Sequence, residues 1–109
     1  MRKLCFALDL VDDQQLIAEY EDWHKEIWPE IRTSILSAGI DQMEIYRYKN
    51  RLMMIMEVNY TFSSERKNEL DLANEKVQEW EKLMWKYQQP IPGSKEGEKW
   101  VLMNKIFEL

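Results

Sequence analysis

Tyr20, His24 and Trp28 stand four positions apart in the stretch Tyr20-Glu-Asp-Trp23-His24-Lys-Glu-Ile-Trp28-Pro29-Glu30, and His24 is the sole histidine of 109 residues. On an α-helix, side chains four apart share one flank. Imidazole has an ordinary pKa near 6.5, so it both gives and takes a proton around neutrality. Two aromatic neighbours can wall a small pocket beside it. The helix angle puts His24 on the edge of the apolar stripe, where it lines a rim while its neighbours pack. This spacing suits acid–base chemistry on an uncharged ligand.

Other chemistries find little support in the chain. Fifteen basic and twenty acidic residues leave a net charge of -5. The Lys and Arg are scattered, so the basic stripe of a nucleic-acid binder is missing. No glycine-rich phosphate loop, dinucleotide fingerprint or serine nucleophile elbow occurs. One His and one Cys do not make a histidine-rich or thiolate zinc site. The acidic residues Glu65, Glu69, Glu75, Glu79 and Glu81 read mostly as a solvated helix face. Cys5 lies in an apolar run, where burial is its expected fate. No segment approaches the roughly 18 consecutive apolar residues of a membrane span, and the N-terminus does not read as a secretory signal. The expected address is cytoplasmic.

The elements that must position His24 follow from periodicity. Leu4 to Leu10 alternates, with Leu4, Phe6, Leu8 and Leu10 on one face, and reads as strand one. Asp12 or Asp13 caps a helix carrying Leu16, Tyr20, Trp23 and Ile27. Pro29 interrupts it and opens a second helical piece running to Ala38, which Gly39 stops. Gln42–Tyr48 and Leu52–Asn59 form a hairpin through Lys49-Asn50-Arg51. Ser63 or Ser64 starts a polar helix, and Asn74 caps another containing Val77, Trp80, Leu83 and Met84. Residues 90–99 form a loop. Trp100–Phe107 is expected as the last strand.

The order βαββαβ is that of an α+β, ferredoxin-like sandwich, a single domain over residues 1–109, with helices on one face of an antiparallel sheet. Strands one and three are central in that layout, and both are apolar on either side. Met53 and Ile55 oppose Leu52, Met54 and Met56. Helices hide one side only, so a homodimer is expected to cover the other, closing a dimeric α/β barrel. Trp80, Trp85 and Tyr87 offer a stacking surface, although aromatic residues at helical spacing usually pack in a core. The methionines read as core.

Tyr20-x-x-x-His24 followed by Ile27-Trp28-Pro29-Glu30 resembles the L-rhamnose mutarotases, as do Ile45-Tyr46 and Val77-Gln-Glu-Trp80. The similarity runs from strand one to Phe107. It implies a ferredoxin-fold dimer that interconverts the α and β anomers of a pyranose without metal or organic cofactor. By resemblance His24 is the catalytic proton donor, Tyr20 a substrate-contacting tyrosine, and Trp80 the first of a Trp-Trp pair bordering the sugar. Two positions depart from the family pattern. Glu81 stands for the second tryptophan, and Met43 for a tyrosine early in strand two. Both are carried as substrate-binding positions, and they leave the sugar open among L-rhamnose, L-fucose, another 6-deoxy sugar or a different aldose.

Anomer exchange passes through the open-chain aldehyde. The ring oxygen gains a proton as the C1–O bond breaks, the anomeric hydroxyl loses one, and re-closure after rotation about C1–C2 delivers the other anomer. His24 is expected to protonate the ring oxygen. The acceptor of the second proton is water, Tyr20 through water, or Glu81. Two rivals share the fold: a dimeric α/β-barrel monooxygenase acting on aromatic substrates or haem, and a non-enzymatic sugar-sensing module.

Overall fold

A computed structural model describes residues 2–109. Its three long strands are β1 (Arg2–Leu10), β2 (Ile40–Tyr48) and β3 (Arg51–Val58), and four helices pack on one side of them. The helices are α1 (Gln14–Lys25), α2 (Pro29–Ser37), α3 (Ser64–Leu72) and α4 (Glu75–Trp85). Two short strands, β4 (Gln88–Gln89) and β5 (Val101–Leu102), complete an antiparallel sheet of order β2-β3-β1-β4, with β5 also paired to β1. This is the ferredoxin-like arrangement, with β1 and β3 central as expected.

The alternation of β1 is what orients the sheet. Leu4, Phe6 and Leu8 pair with Met56, Met54 and Leu52, and Met56 and Met54 pair in turn with Met43 and Ile45 of β2. Directly paired residues share a face, so these side chains all point toward the helices. Leu8, Leu52 and Met56 are sealed there, at 2% exposure or less. The opposite face carries Cys5, Ala7, Ile55, Met53 and Tyr46, with Met53 and Tyr46 exposed. On that face the buried Asp9 carboxylate accepts two hydrogen bonds from the Arg51 guanidinium, at 2.8 and 3.1 Å.

Helix boundaries follow the caps. Asp13 accepts from the Leu16 N–H at 3.0 Å, Ser63 from Arg66 at 3.1 Å, and Asn74 from Lys76 and Val77. Each bond satisfies an amide that the first turn leaves without a partner. Gly39 ends α2 with φ of +94°, and a Cβ there would lie 2.6 Å from Thr61 Oγ1. Lys49, with φ of 52°, turns the hairpin with Asn50. Asn50 is tied to Leu10 through both its backbone C=O and its side-chain amide.

Two expectations need correction, and one strand was not foreseen. Trp28 is not on the first helix: α1 ends at Lys25, and Trp28, at φ -59° and ψ 138°, is the N-cap of α2. Pro29 is the cause, because the residue before a proline is pushed out of the helical region. The last strand is not Trp100–Phe107. Only Val101 and Leu102 pair with β1, and the chain from Met103 onward has no regular structure. The edge position next to Leu10 belongs instead to Gln88, in a strand the periodicity did not reveal.

Candidate active site

The core on the helix side divides into two clusters. One gathers Leu10, Leu52, Tyr20, Ile31, Val77, Trp80, Met84 and Tyr87; the other gathers Ile40, Met54, Met56, Val58 and Phe62 with Ala38. Between them lies a cavity of about 360 Å³ touched by both groups. His24, Tyr20, Trp80, Glu81 and Met43 all line it. The structure thus brings these five together from α1, β2 and α4, and leaves Trp28, Trp85 and Tyr87, which the sequence also marked, outside the lining.

His24 is half-buried, in the last turn of α1. Its Nδ1 lies 2.8 Å from the backbone carbonyl oxygen of Tyr20. A carbonyl only accepts, so Nδ1 carries a hydrogen whether the ring is neutral or charged. All the proton exchange of this imidazole therefore runs through Nε2. Burial pushes the His24 pKa below its ordinary 6.5, and the bond to the Tyr20 carbonyl opposes that shift more weakly. At neutral pH the resting ring is neutral, with a bare lone pair on Nε2.

Aromatic rings hold the histidine in place. The Tyr20 ring centroid is 4.4 Å from that of His24, and Trp80 meets His24 edge-on at 5.7 Å. Trp28 packs against Trp80 at 5.1 Å, and Trp23 crosses both tryptophans at 6.4 Å. Trp28 is thus a packing residue behind Trp80, as its place before Pro29 suggests. Behind α1, Trp23 Nε1 donates to Tyr87 Oη at 3.1 Å and Tyr87 donates to Glu19 at 3.0 Å. Tyr87 therefore belongs to the core. Trp85 turns outward under the Lys99 ammonium, 4.7 Å from its ring centroid. The stacking trio of Trp80, Trp85 and Tyr87 is not assembled.

Tyr20 is buried, and burial raises its pKa, with a hydrogen bond from Gln88 opposing the shift. Its hydroxyl stays protonated across the neutral range, which makes it a hydrogen-bond donor and not a base. The cavity also holds residues that the sequence did not single out. Lys67 and Asp71 line it as an ion pair at 2.6 Å, and Phe6, Met54, Met56 and Trp100 supply apolar wall. Their four-residue spacing on a helix was the available signal for the ion pair. The alternation of β1 and β3 was the signal for the wall. Gln88, also on the wall, carried no signal, because its strand is only two residues long.

Among the described residues no group of three or more His, Cys, Asp or Glu is placed to hold a metal ion. None of the helices is long and apolar enough to cross a membrane.

A family model for L-rhamnose mutarotase matches residues 3–109. The chain belongs to the L-rhamnose mutarotase family. A protein of Xanthomonas campestris pv. campestris named L-fucose mutarotase is 45% identical, over all of this chain and 89% of its own length. A UPF0734 protein of Dictyostelium discoideum is 36% identical over 94% of this chain and 86% of its own length. Among solved structures, L-rhamnose mutarotase FA22100 from Formosa agariphila superposes with a TM-score of 0.74 at 20% identity, covering 100% of this chain and 99% of that one. Tetracenomycin F2 cyclase from Streptomyces glaucescens, a type-II polyketide cyclase, shares the fold with a TM-score of 0.62 at 12% identity, over 100% and 97% of the two chains. The fold therefore hosts more than one chemistry, as folds commonly do. Membership of the L-rhamnose mutarotase family places the chain among isomerases acting on sugar anomers, and sets aside the monooxygenase and the sensing module.

Proposed function

We propose that this L-rhamnose mutarotase family member interconverts the α and β anomers of a 6-deoxy pyranose in the cavity beside His24. L-Fucose is the first substrate, supported by the relative named for it, and L-rhamnose the second. The observation that carries this reading is the His24 imidazole. Its Nδ1 is fixed on the Tyr20 carbonyl, and the ring lies in the cavity wall next to Trp80.

Neutral His24 starts as a base: Nε2 takes the proton of the anomeric hydroxyl. The imidazolium so formed is disfavoured by its burial and is a ready acid toward the ring oxygen, which accepts that proton as the C1–O bond breaks. The aldehyde turns about C1–C2. Re-closure runs the same steps in reverse, with Nε2 taking the proton of the O5 hydroxyl. A second proton carrier is needed where the rotated carbonyl oxygen has left the reach of Nε2, and Glu81 or a water beside it serves there. Trp80 faces the C–H side and methyl end of the sugar, and Met43 contributes apolar wall. Tyr20 donates a hydrogen bond that fixes orientation.

The whole chain, residues 1–109, works as one domain. We also propose a homodimer built on the open sheet face, where Met53 and Tyr46 are exposed beside Ile55. A reducing, cytoplasmic setting fits the free thiol of Cys5. Exchange NMR on equilibrated L-fucose and L-rhamnose tests the activity: saturation of one anomeric proton must attenuate the other faster with enzyme than without. Absence of acceleration for every 6-deoxy sugar and common aldose refutes the proposal.

A further inference from the structure

Gln88 is 9% exposed, on the one short strand that sequence periodicity did not show. Its register partner is Leu10, so its side chain points to the helix side of the sheet, toward α1. There its Nε2 donates to Tyr20 Oη at 3.3 Å. That bond occupies one lone pair of the phenol oxygen and leaves the hydrogen of Tyr20 to be given elsewhere. Among the described residues, none donates a hydrogen bond to the carbonyl end of the same amide. No side-chain nitrogen or oxygen among the described residues is both sealed from solvent and unpaired. The Gln88 carbonyl oxygen is therefore not sealed from solvent, and Gln88 and Tyr20 line the same cavity.

We propose that Gln88 is a substrate-recognition residue: Tyr20 donates to one ring hydroxyl while the Gln88 carbonyl accepts from its neighbour. Gln88 Nε2 is 3.3 Å from Tyr20 Oη and the carbonyl oxygen is on the same amide, so the two groups are within reach of adjacent hydroxyls of a pyranose and not of hydroxyls across the ring. One donor beside one acceptor also fixes the sense in which the diol must present itself. Binding sharpens the discrimination, because the sugar displaces water from that carbonyl and an analogue lacking the hydroxyl leaves it unmatched. The amide has a second effect, since its donation to Tyr20 Oη holds the phenol hydrogen toward the ligand. This deepens the mutarotase reading and rests on it.

The test is anomer-exchange NMR on the full chain, wild type and Gln88→Met, with L-fucose, L-rhamnose and the 2-, 3- and 4-deoxy analogues of whichever is turned over. Gln88→Met is expected to raise KM about tenfold, with kcat changed less than about twofold, as befits one lost neutral hydrogen bond. One analogue should lose about tenfold with wild type and nothing further with Gln88→Met. In that variant the Tyr20 phenol, followed by ultraviolet titration, should ionise at higher pH, since the donor opposing its upward shift is gone. Should Gln88→Met not fold, the wild-type analogue series alone carries the test, through the loss of about tenfold expected for one of the three deletions. A wild type indifferent to all three deletions overturns the proposal, as does a variant that weakens every analogue equally. A wild type that accelerates no sugar refutes the mutarotase reading instead.

Discussion

The pH profile of anomer exchange should rise from acid to a plateau, because His24 enters the reaction as a neutral base. The reasoning starts from the 2.8 Å contact between Nδ1 and the Tyr20 carbonyl, which leaves Nε2 as the titrating nitrogen. An imidazole at its ordinary pKa would already be about three-quarters neutral at pH 7. Burial lowers the His24 pKa, so the neutral fraction is larger still. The catalysed rate should then gain less than about a third between pH 7 and 8, and fall about tenfold per unit once the pH lies well below the depressed pKa. Saturation-transfer NMR at fixed L-fucose, with the buffer-catalysed rate subtracted at each pH, measures it. His24→Ala should lower the catalysed rate roughly 10²–10⁴-fold, on the order of 3–5 kcal/mol of transition-state stabilisation, and leave the fold intact. A catalysed rate that declines from pH 6.5 to 8 would show the imidazolium to be the starting form, and full activity in His24→Ala would remove the residue from the mechanism. The same shift has a stability consequence. Between the folded and unfolded pKa values the unfolded chain binds more protons, so stability drops as pH falls through that window. The Tm of wild type should therefore decline more steeply below pH 6.5 than that of His24→Gln.

Trp80→Phe should raise KM for the 6-deoxy sugar with little change in kcat, while Trp80→Ala, which empties a site 9% exposed, should cost about 3–5 kcal/mol in urea unfolding. Equal KM values for Trp80→Phe and wild type would detach the indole from the sugar. Gly39→Ala should destabilise the fold by about 1–3 kcal/mol, because φ of +94° is strained for an L residue and the new Cβ would meet Thr61, Asn59 and Phe62; an unchanged urea midpoint would contradict this. Ile55→Glu places a charge at the centre of the open sheet face, and sedimentation equilibrium should show dimer becoming monomer. A variant that sediments like wild type would take the interface off that face.

Most of the fold was legible because its signals are local. Asp13, Ser63 and Asn74 cap the helices that their types predict, and Gly39 takes the positive φ that ends α2. The alternation of Leu4 to Leu10 and of Leu52 to Met56 states which side of the sheet meets the helices. The edge beyond β1 was not legible, because two separated segments share it. Gln88 and Gln89 take the places opposite Leu10 and Asp9, while Leu102 and Val101 pair with Phe6 and Ala7. Neither piece is long enough to show a period of two, and the apolar residues Ile106 and Phe107 that suggested a longer strand are exposed. Trp28 was misplaced for a related reason. The four-residue spacing continues through it, but Pro29 removes the helix that would make the spacing meaningful.

The charge state of the site was the least legible property, and it bears most directly on substrate choice. Net charge of -5 describes the surface, whereas the cavity is close to neutral in its working parts. Burial acts on the two proton-handling side chains in opposite directions, lowering the pKa of His24 and raising that of Tyr20, and in both cases it favours the uncharged form. Four charged side chains line the wall: Lys67 and Asp71 pair at 2.6 Å, and Lys99 and Glu81 balance in sign. A charged sugar would enter such a site by giving up hydration without finding a net counter-charge. In the proposed pose a neutral deoxy sugar would lose less, with its apolar face against Trp80 and Met43 and its hydroxyls toward His24, Tyr20 and Gln88. The proposed preference for an uncharged monosaccharide thus rests on the depth at which the fold sets these residues, a quantity that residue order alone does not carry.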